Sequence, residues 1–201
     1  IRTANVLSTM FSPLFSPIWV ILGLFFFSYM RMLPLEYKIF ILALTYIFTI
    51  LLPHLGIRLV KKIKQWSHWQ LSHREHRHLP YVLTLISYSS CLVIMTNLNV
   101  AMFFRGIIMA ALAAQVICVV VNTRWKISTH MVGAGGLAGS LYAFSDLFYY
   151  NPVWSFCGLL FLAGALGTSR IILRQHSLAQ VIAGFFVGYV CALVFIMFSW
   201  I

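Results

Sequence analysis

Long apolar runs, separated by short polar or proline-containing breaks, dominate the pattern along this chain. A membrane-spanning helix needs roughly 20 mostly apolar residues. We predict spanning helices at about 13–33, 37–58, 81–100, 103–122, 131–149, 153–168 and 177–200. Residues 1–201 are therefore expected to form a single membrane-embedded domain of the all-α class, a polytopic transmembrane helical bundle with about six to seven spanning helices.

The breaks between the runs predict how the helices are connected. Turn-forming residues stand at Leu33-Pro34, at 97–99 and at Asn151-Pro152. Such short loops join antiparallel neighbours. By counting crossings, we expect three longer polar stretches to share the other face of the membrane, and these are 61–80, 124–130 and 169–176.

The three helices that begin near Pro80, His130 and His176 all start at that face. The N-terminal end of a helix carries partial positive charge and unpaired N–H donors, which together attract anions. Most Lys and Arg residues fall on the same face. The positive-inside rule would make this face cytoplasmic, but cations that bind a phosphate would distort the count, so the orientation stays open.

Composition excludes several functional classes. The chain has 201 residues, of which 62% are hydrophobic and 8% charged, a balance that requires a bilayer as solvent. Its fourteen Lys and Arg face three acids, Glu36, Glu75 and Asp146. Paired-carboxylate glycosidases and two-metal phosphatases need clusters of acids. The four cysteines are far apart and favour packing, so neither a disulfide framework nor a thiolate metal site is suggested. No cofactor is expected.

Two short motifs carry candidate chemistry. The first is Ser169-Arg170, followed at His176 and Gln180 by a pair with helical i, i+4 spacing, so that Gln180 is expected to hydrogen-bond the His176 ring and fix its tautomer. The second, at 126–130, places Lys126, Ser128 and His130 before a helix. Both motifs combine an imidazole with a cation and a hydroxyl.

These motifs resemble those of the type-2 phosphatidic acid phosphatase superfamily over about 74–180. Ser169, Arg170 and His176 match the spacing of its third motif, with Gln180 in place of Asp. Ser128 and His130 match the Ser and His of the second motif. For the first motif, Arg74 and Arg77 are the nearest cations before Pro80.

The resemblance implies a metal-independent lipid phosphate phosphatase that acts through a phosphohistidine. His176 would attack phosphorus, His130 would protonate the leaving alkoxide, and Gln180 would orient the nucleophile. The implied phosphate-binding residues are Arg170, Ser128, Lys126, Arg74, Arg77 and Ser169. The expected partners are a membrane lipid phosphate and the bilayer, with no nucleic acid, and the resemblance suggests the bacterial inner membrane.

Other interpretations of the same residues stay open. Gln180 and the incomplete first motif also fit a non-catalytic relative that binds or moves a phospholipid. A haem protein with facing His pairs is a third possibility, although His130 and His176 are expected at one membrane edge. Arg74 and Arg77 fit lipid contact as well as substrate binding.

Two further patterns have a simpler structural interpretation. His73, His76 and His78 have a spacing that would allow a metal site, but an interfacial basic segment touching anionic lipid is favoured. The glycines at 133–139 and the pair Gly184 and Gly188 are expected to let membrane helices pack closely.

Overall fold

The computed structural model describes residues 12–64 and 78–199. A 3₁₀ turn, Pro13–Phe15, leads into the first α-helix. We number the α-helices α1 (Ser16–Phe27), α2 (Leu35–Tyr46), α3 (Leu52–Lys64), α4 (His78–Asn97), α5 (Met102–Asn122), α6 (Thr129–Leu147), α7 (Val153–Ile172) and α8 (Leu178–Phe198). A π-helical segment, Ile47–Leu51, joins α2 to α3 without a break, and the described residues contain no strand.

Five helical stretches are long and apolar enough to cross a membrane: Leu35–Val60, Pro80–Asn97, Met102–Asn122, Val153–Ile172 and Leu178–Phe198. The chain is a multi-pass membrane protein, and the prediction of an all-α transmembrane bundle is confirmed. Helix α6 packs against two of these stretches, α7 and α8, and against the shorter helix α1. Its 19 residues give it a length of about 28 Å, close to the thickness of a bilayer core of roughly 30 Å.

The first predicted segment, 13–33, is not one continuous helix. Helix α1 ends at Phe27, Ser28 has extended backbone, and Tyr29–Met32 forms a separate 3₁₀ turn. The Ser28 hydroxyl donates to the Leu24 carbonyl at 2.7 Å and accepts from the Met30 N–H at 3.2 Å. This one side chain ends one helix and starts the next turn, which hydropathy alone does not reveal.

Helices α6 and α8 make the most extensive contact between two helices in the described part of the chain, and glycines permit their close approach. A Cβ atom at Gly184 would stand 2.6 Å from the Ser128 carbonyl oxygen, and one at Gly188 would stand 2.7 Å from the Gly136 nitrogen. Side chains at Gly135 and Gly139 would collide with the α8 backbone at Phe185 and Tyr189. The predicted packing role of these glycines is confirmed.

Polar side chains also connect helices inside the bundle. The Gln115 amide on α5 donates to the Thr84 hydroxyl on α4, and the Asn122 amide donates to the Tyr81 hydroxyl. These bonds fix α4 beside α5. They hold the N-terminal end of α4 in place next to the site described below.

Candidate functional site

A cavity of about 550 Å³ lies where α4, α6 and α8 begin and α7 ends. Its lining consists of Pro80, Tyr81, Lys126, Ile127, Thr129, His130, Arg170, Gln175 and His176. The lining draws on all three polar stretches that crossing parity assigned to one face. The described residues of those stretches therefore meet at one end of the bundle, as the parity of the crossings predicts.

Arg170 stands in the last turn of α7, and only 8% of its surface is exposed. The chain reverses directly after it. The Gln175 N–H donates to the Arg170 carbonyl at 3.1 Å and the Arg174 N–H to the Ile171 carbonyl at 2.9 Å. With Arg174 at φ 52°, this is a Schellman ending in a left-handed residue. The reversal brings His176 back to the cavity that Arg170 lines.

His176 is oriented by Gln180. The His176 Nδ1 lies 3.2 Å from the Gln180 Oε1, and the Ser177 N–H donates to the same oxygen at 3.2 Å. Because the Ser177 N–H is a donor, the atom that faces it must be the amide oxygen. His176 must then donate from Nδ1, which leaves the Nε2 lone pair for chemistry.

The contact was predicted, but its structural basis differs from the prediction. His176 and Gln180 do not form an i, i+4 pair within a helix, since α8 begins at Leu178 and Ser177 is its N-cap. The Gln180 N–H donates to the Ser177 hydroxyl at 3.4 Å. Ser177 and Gln180 form a reciprocal capping box, and His176 binds to this box from outside the helix.

Burial lowers the pKa of His176 below the usual value for histidine, and the positive charges of Lys126 and Arg170 lower it further. Hydrogen bonds to Gln180 and to the backbone of Lys126 act in the opposite direction without cancelling the effect. An ordinary histidine has a pKa of about 6.5. The lowered pKa favours the neutral form of the His176 ring.

The N-terminus of α6 forms the opposite wall of the cavity. His130 lies in its first turn and lines the cavity with Thr129. The N-cap residue Ser128 donates its backbone N–H to the Gln180 carbonyl at 3.4 Å, which ties the start of α6 to the first turn of α8. The positive ends of both helices are thus fixed side by side.

Not every predicted site residue lines the cavity. Ser128 is fully buried, and its hydroxyl makes no hydrogen bond within the described part of the chain. Ser169 is 5% exposed and its hydroxyl donates to the Ala165 carbonyl at 2.8 Å. Both residues lie behind the cavity wall. Arg74 and Arg77 lie outside the described residues, as does most of the histidine-rich segment 73–78.

The lining includes residues that sequence reasoning did not select, namely Tyr81, Thr129 and Gln175. Thr129 and Gln175 each stand next to a predicted site residue, and Tyr81 follows Pro80 at a predicted helix start. That proximity was the available signal. For Tyr81, the bond from Asn122 holds the hydroxyl in position, and this partner 41 residues away has no local sequence pattern.

Within the described ranges, no group of three or more His, Cys, Asp or Glu side chains could hold a metal ion. What the cavity offers is two imidazoles, the cations of Lys126 and Arg170, and the N-terminal ends of the helices that begin beside it. Such a set suits an anion with several oxygens. Comparison of the chain with protein-family models, with curated proteins and with solved structures finds no match.

Proposed function

We propose that this protein is a lipid phosphate phosphatase that hydrolyses a phosphomonoester or diphosphate head group through a phosphohistidine. The observation that carries the proposal is the arrangement at His176, a ring with Nδ1 held by Gln180 that lines one cavity with His130 and Arg170. The substrate lies in the bilayer with its phosphate in this cavity. On the resemblance of the motifs, we propose the bacterial inner membrane as its location.

In the first step, the Nε2 lone pair of His176 attacks phosphorus and an N–P bond forms. The bond from phosphorus to the lipid oxygen breaks, and His130 donates a proton to the departing alkoxide. Arg170 and Lys126 neutralise charge on the phosphoryl oxygens. In phosphoryl transfer, positioning and charge stabilisation of this kind supply most of the catalysis.

In the second step, a water molecule attacks phosphorus and the N–P bond breaks. His130, now neutral, accepts the proton of that water. Inorganic phosphate leaves, and His176 returns to its neutral form. Lys126 lies at the exposed rim of the cavity, where water has access.

Gln180 favours a second candidate function. A neutral amide orients the ring but does not stabilise its cationic form, whereas a carboxylate does both. A cavity built in this way would also serve a protein that binds a phospholipid head group without hydrolysing it. Phosphate release separates the two candidates.

The test is phosphate release from a panel of lipid phosphates in detergent with EDTA present. Replacement of the nucleophile in His176→Ala should lower kcat by about a thousandfold or more. His54→Ala is the matched control, since this exposed histidine on α3 bonds to the Ile50 carbonyl and does not line the cavity. We expect it to keep full activity.

Activity that EDTA abolishes, or that survives in His176→Ala, would contradict the proposed mechanism. Lipid binding without phosphate release from any member of the panel would establish the second candidate. Mass spectrometry of acid-quenched samples provides an independent check, since the phosphoryl adduct should map to His176.

A further inference from the structure

An apolar groove of about 450 Å³ lies between α1, α6 and α7, at the depth of the membrane-spanning helices. On α7 its wall runs from Ser155 to Leu166, a length of about 17 Å along the helix axis. That is more than half of a hydrocarbon core of roughly 30 Å. The groove is thus long enough for much of one extended hydrocarbon chain.

The groove ends close to the head-group cavity. Leu166, the groove residue nearest the C-terminal end of α7, is one helical turn away from Arg170 and on the same face of the helix. A smaller cavity of about 60 Å³ shares Val20 and Ser140 with the groove and Thr129 with the head-group cavity. Through these shared wall residues, the smaller cavity links the groove in the bundle interior with the head-group cavity.

Two glycines leave the groove open. A Cβ atom added to Gly23 on α1 or to Gly158 on α7 would meet no described atom within 4 Å. Both residues belong to the groove wall. By contrast, the glycines of α6 and α8 that pack against a backbone leave no such room.

We propose that this groove binds one hydrocarbon chain of the same lipid whose phosphate occupies the cavity beside Arg170. The proposal rests on the proposed function for the position of the phosphate. The groove wall is mostly apolar, so it contributes affinity for the chain, while the cationic cavity contributes affinity for the head group. The depth of the groove then sets the preferred chain length.

The experiment measures binding in a protein that does not turn over, His176→Ala, in detergent. A phosphatidate with brominated acyl chains is titrated while tryptophan fluorescence is recorded. Trp19 lines the groove, and its share of the quenching is the difference from the same protein carrying Trp19→Phe. Filling the groove with Gly158→Leu should weaken binding about tenfold or more, since loss of contact with two methylenes already accounts for such a factor. Gly23→Leu, on the facing wall, should do the same.

Gly164→Leu is the matched control on α7. Its Cβ position is also open within 4 Å, but the residue does not belong to the groove wall. Binding should be unchanged. Brominated phosphatidylcholine, which lacks the exposed phosphomonoester, should quench Trp19 at least about tenfold less effectively.

Unchanged binding in Gly158→Leu, or equal losses in Gly158→Leu and Gly164→Leu, would overturn the proposal. Equal quenching by phosphatidylcholine would overturn it too, because the groove would then hold bulk lipid. Hydrolysis is followed separately with p-nitrophenyl phosphate, which carries no acyl chain. Absence of that activity would count against the proposed phosphatase function. The binding result alone decides whether the groove holds a hydrocarbon chain.

Discussion

The side-chain oxygen of Gln180 accepts hydrogen bonds from two donors, the Ser177 N–H and the His176 Nδ1. One bond caps α8 and the other sets the tautomer of the candidate nucleophile. Ring orientation is thereby coupled to the start of a helix. Substitutions at this residue are expected to separate the two effects.

Gln180→Glu should preserve the capping box, because Glu is the other residue that commonly fills this position. Its carboxylate should raise the pKa of His176 and stabilise the cationic phosphohistidine. Exchange of Asp for its amide costs a serine protease about 10⁴ in rate, so we expect kcat to rise by about tenfold or more in this reverse exchange. The measurement is kcat as a function of pH.

Gln180→Leu is the companion variant, with a similar side-chain length and no acceptor. This variant should no longer fix the tautomer of His176, and the lost cap should lower the free energy of unfolding by about 1 kcal/mol. Equal loss of activity in the Glu and Leu variants would show that charge at residue 180 does not assist the reaction.

Lys126→Gln tests the electrostatics of the cavity. The positive charge of Lys126 contributes to the lowered pKa of His176. Without this charge, the pKa should rise, so the acidic limb of the profile of kcat/KM against pH should move to higher pH. Arg174→Gln is the control, since Arg174 is exposed and nearby but is not among the causes of the shift. A limb that stays fixed in Lys126→Gln would contradict the assignment of that limb to His176.

The sequence predicted the two imidazoles, Arg170 and Lys126 as members of the site, because each stands in a short polar break where few residues compete for a role. It could not separate side chains that line a cavity from those directly behind it. Ser128 and Ser169 are examples. Whether such a side chain faces the cavity depends on how its helix is rotated. The Ser169 hydroxyl, for example, donates to the Ala165 carbonyl of its own helix instead.

At the level of helices, the contact between α6 and α8 positions the two histidines. Gly188→Ala would place a Cβ 2.8 Å from the Val132 carbonyl carbon and 2.7 Å from the Gly136 nitrogen. The helices must then separate, and we expect a loss of about 1–3 kcal/mol in stability. Activity should fall as well, because His130 and His176 stand at the ends of this pair.

Thermal unfolding in detergent, followed by circular dichroism, measures the effect. Gly164→Ala is the control, since its Cβ meets no described atom within 4 Å. It should leave the unfolding midpoint unchanged or raise it slightly, given the higher helix propensity of alanine. Equal stability of the two variants would show that the close approach of α6 and α8 is not required.

Helix ends were predicted well where a turn signal was present. Asn99 has φ 50° at the end of α4, as an asparagine tolerates. The predicted end of α7 at 168 was too early, since the helix continues to Ile172. The hydroxyls of Thr168 and Ser169 bond to carbonyls of their own helix. Polar residues that are satisfied in this way do not interrupt a helix, although they lower its hydropathy.

At the scale of the whole molecule, the parity of the connections makes a topological prediction. Single cysteines at Arg124 and Arg174 should react with a membrane-impermeant maleimide from the same side of sealed vesicles. A cysteine at Asn151, at the other end of α7, should react from the opposite side. The background carries Cys157→Ser, because Cys157 is exposed whereas Cys91, Cys118 and Cys191 are buried.

Labelling of 124 and 174 from different sides would contradict the arrangement. Labelling of all three from one side would do so as well. The same data establish which membrane face carries the cavity. This parity could be predicted from the sequence because each crossing moves the chain to the other membrane face. The face of each connection therefore depends on the number of preceding spans and not on how the helices pack.

The pairing of α6 with α8 across an intervening helix has a consequence for biosynthesis. A ribosome delivers His130 with α6 and Arg170 with α7, while the amide that orients His176 arrives only with α8. Before α8 is inserted, a nascent chain therefore contains His130 and Arg170 but lacks the amide that fixes the tautomer of His176. Under the proposed chemistry, the protein becomes active only once α8 is inserted. Activity would then be a sign that the bundle is assembled.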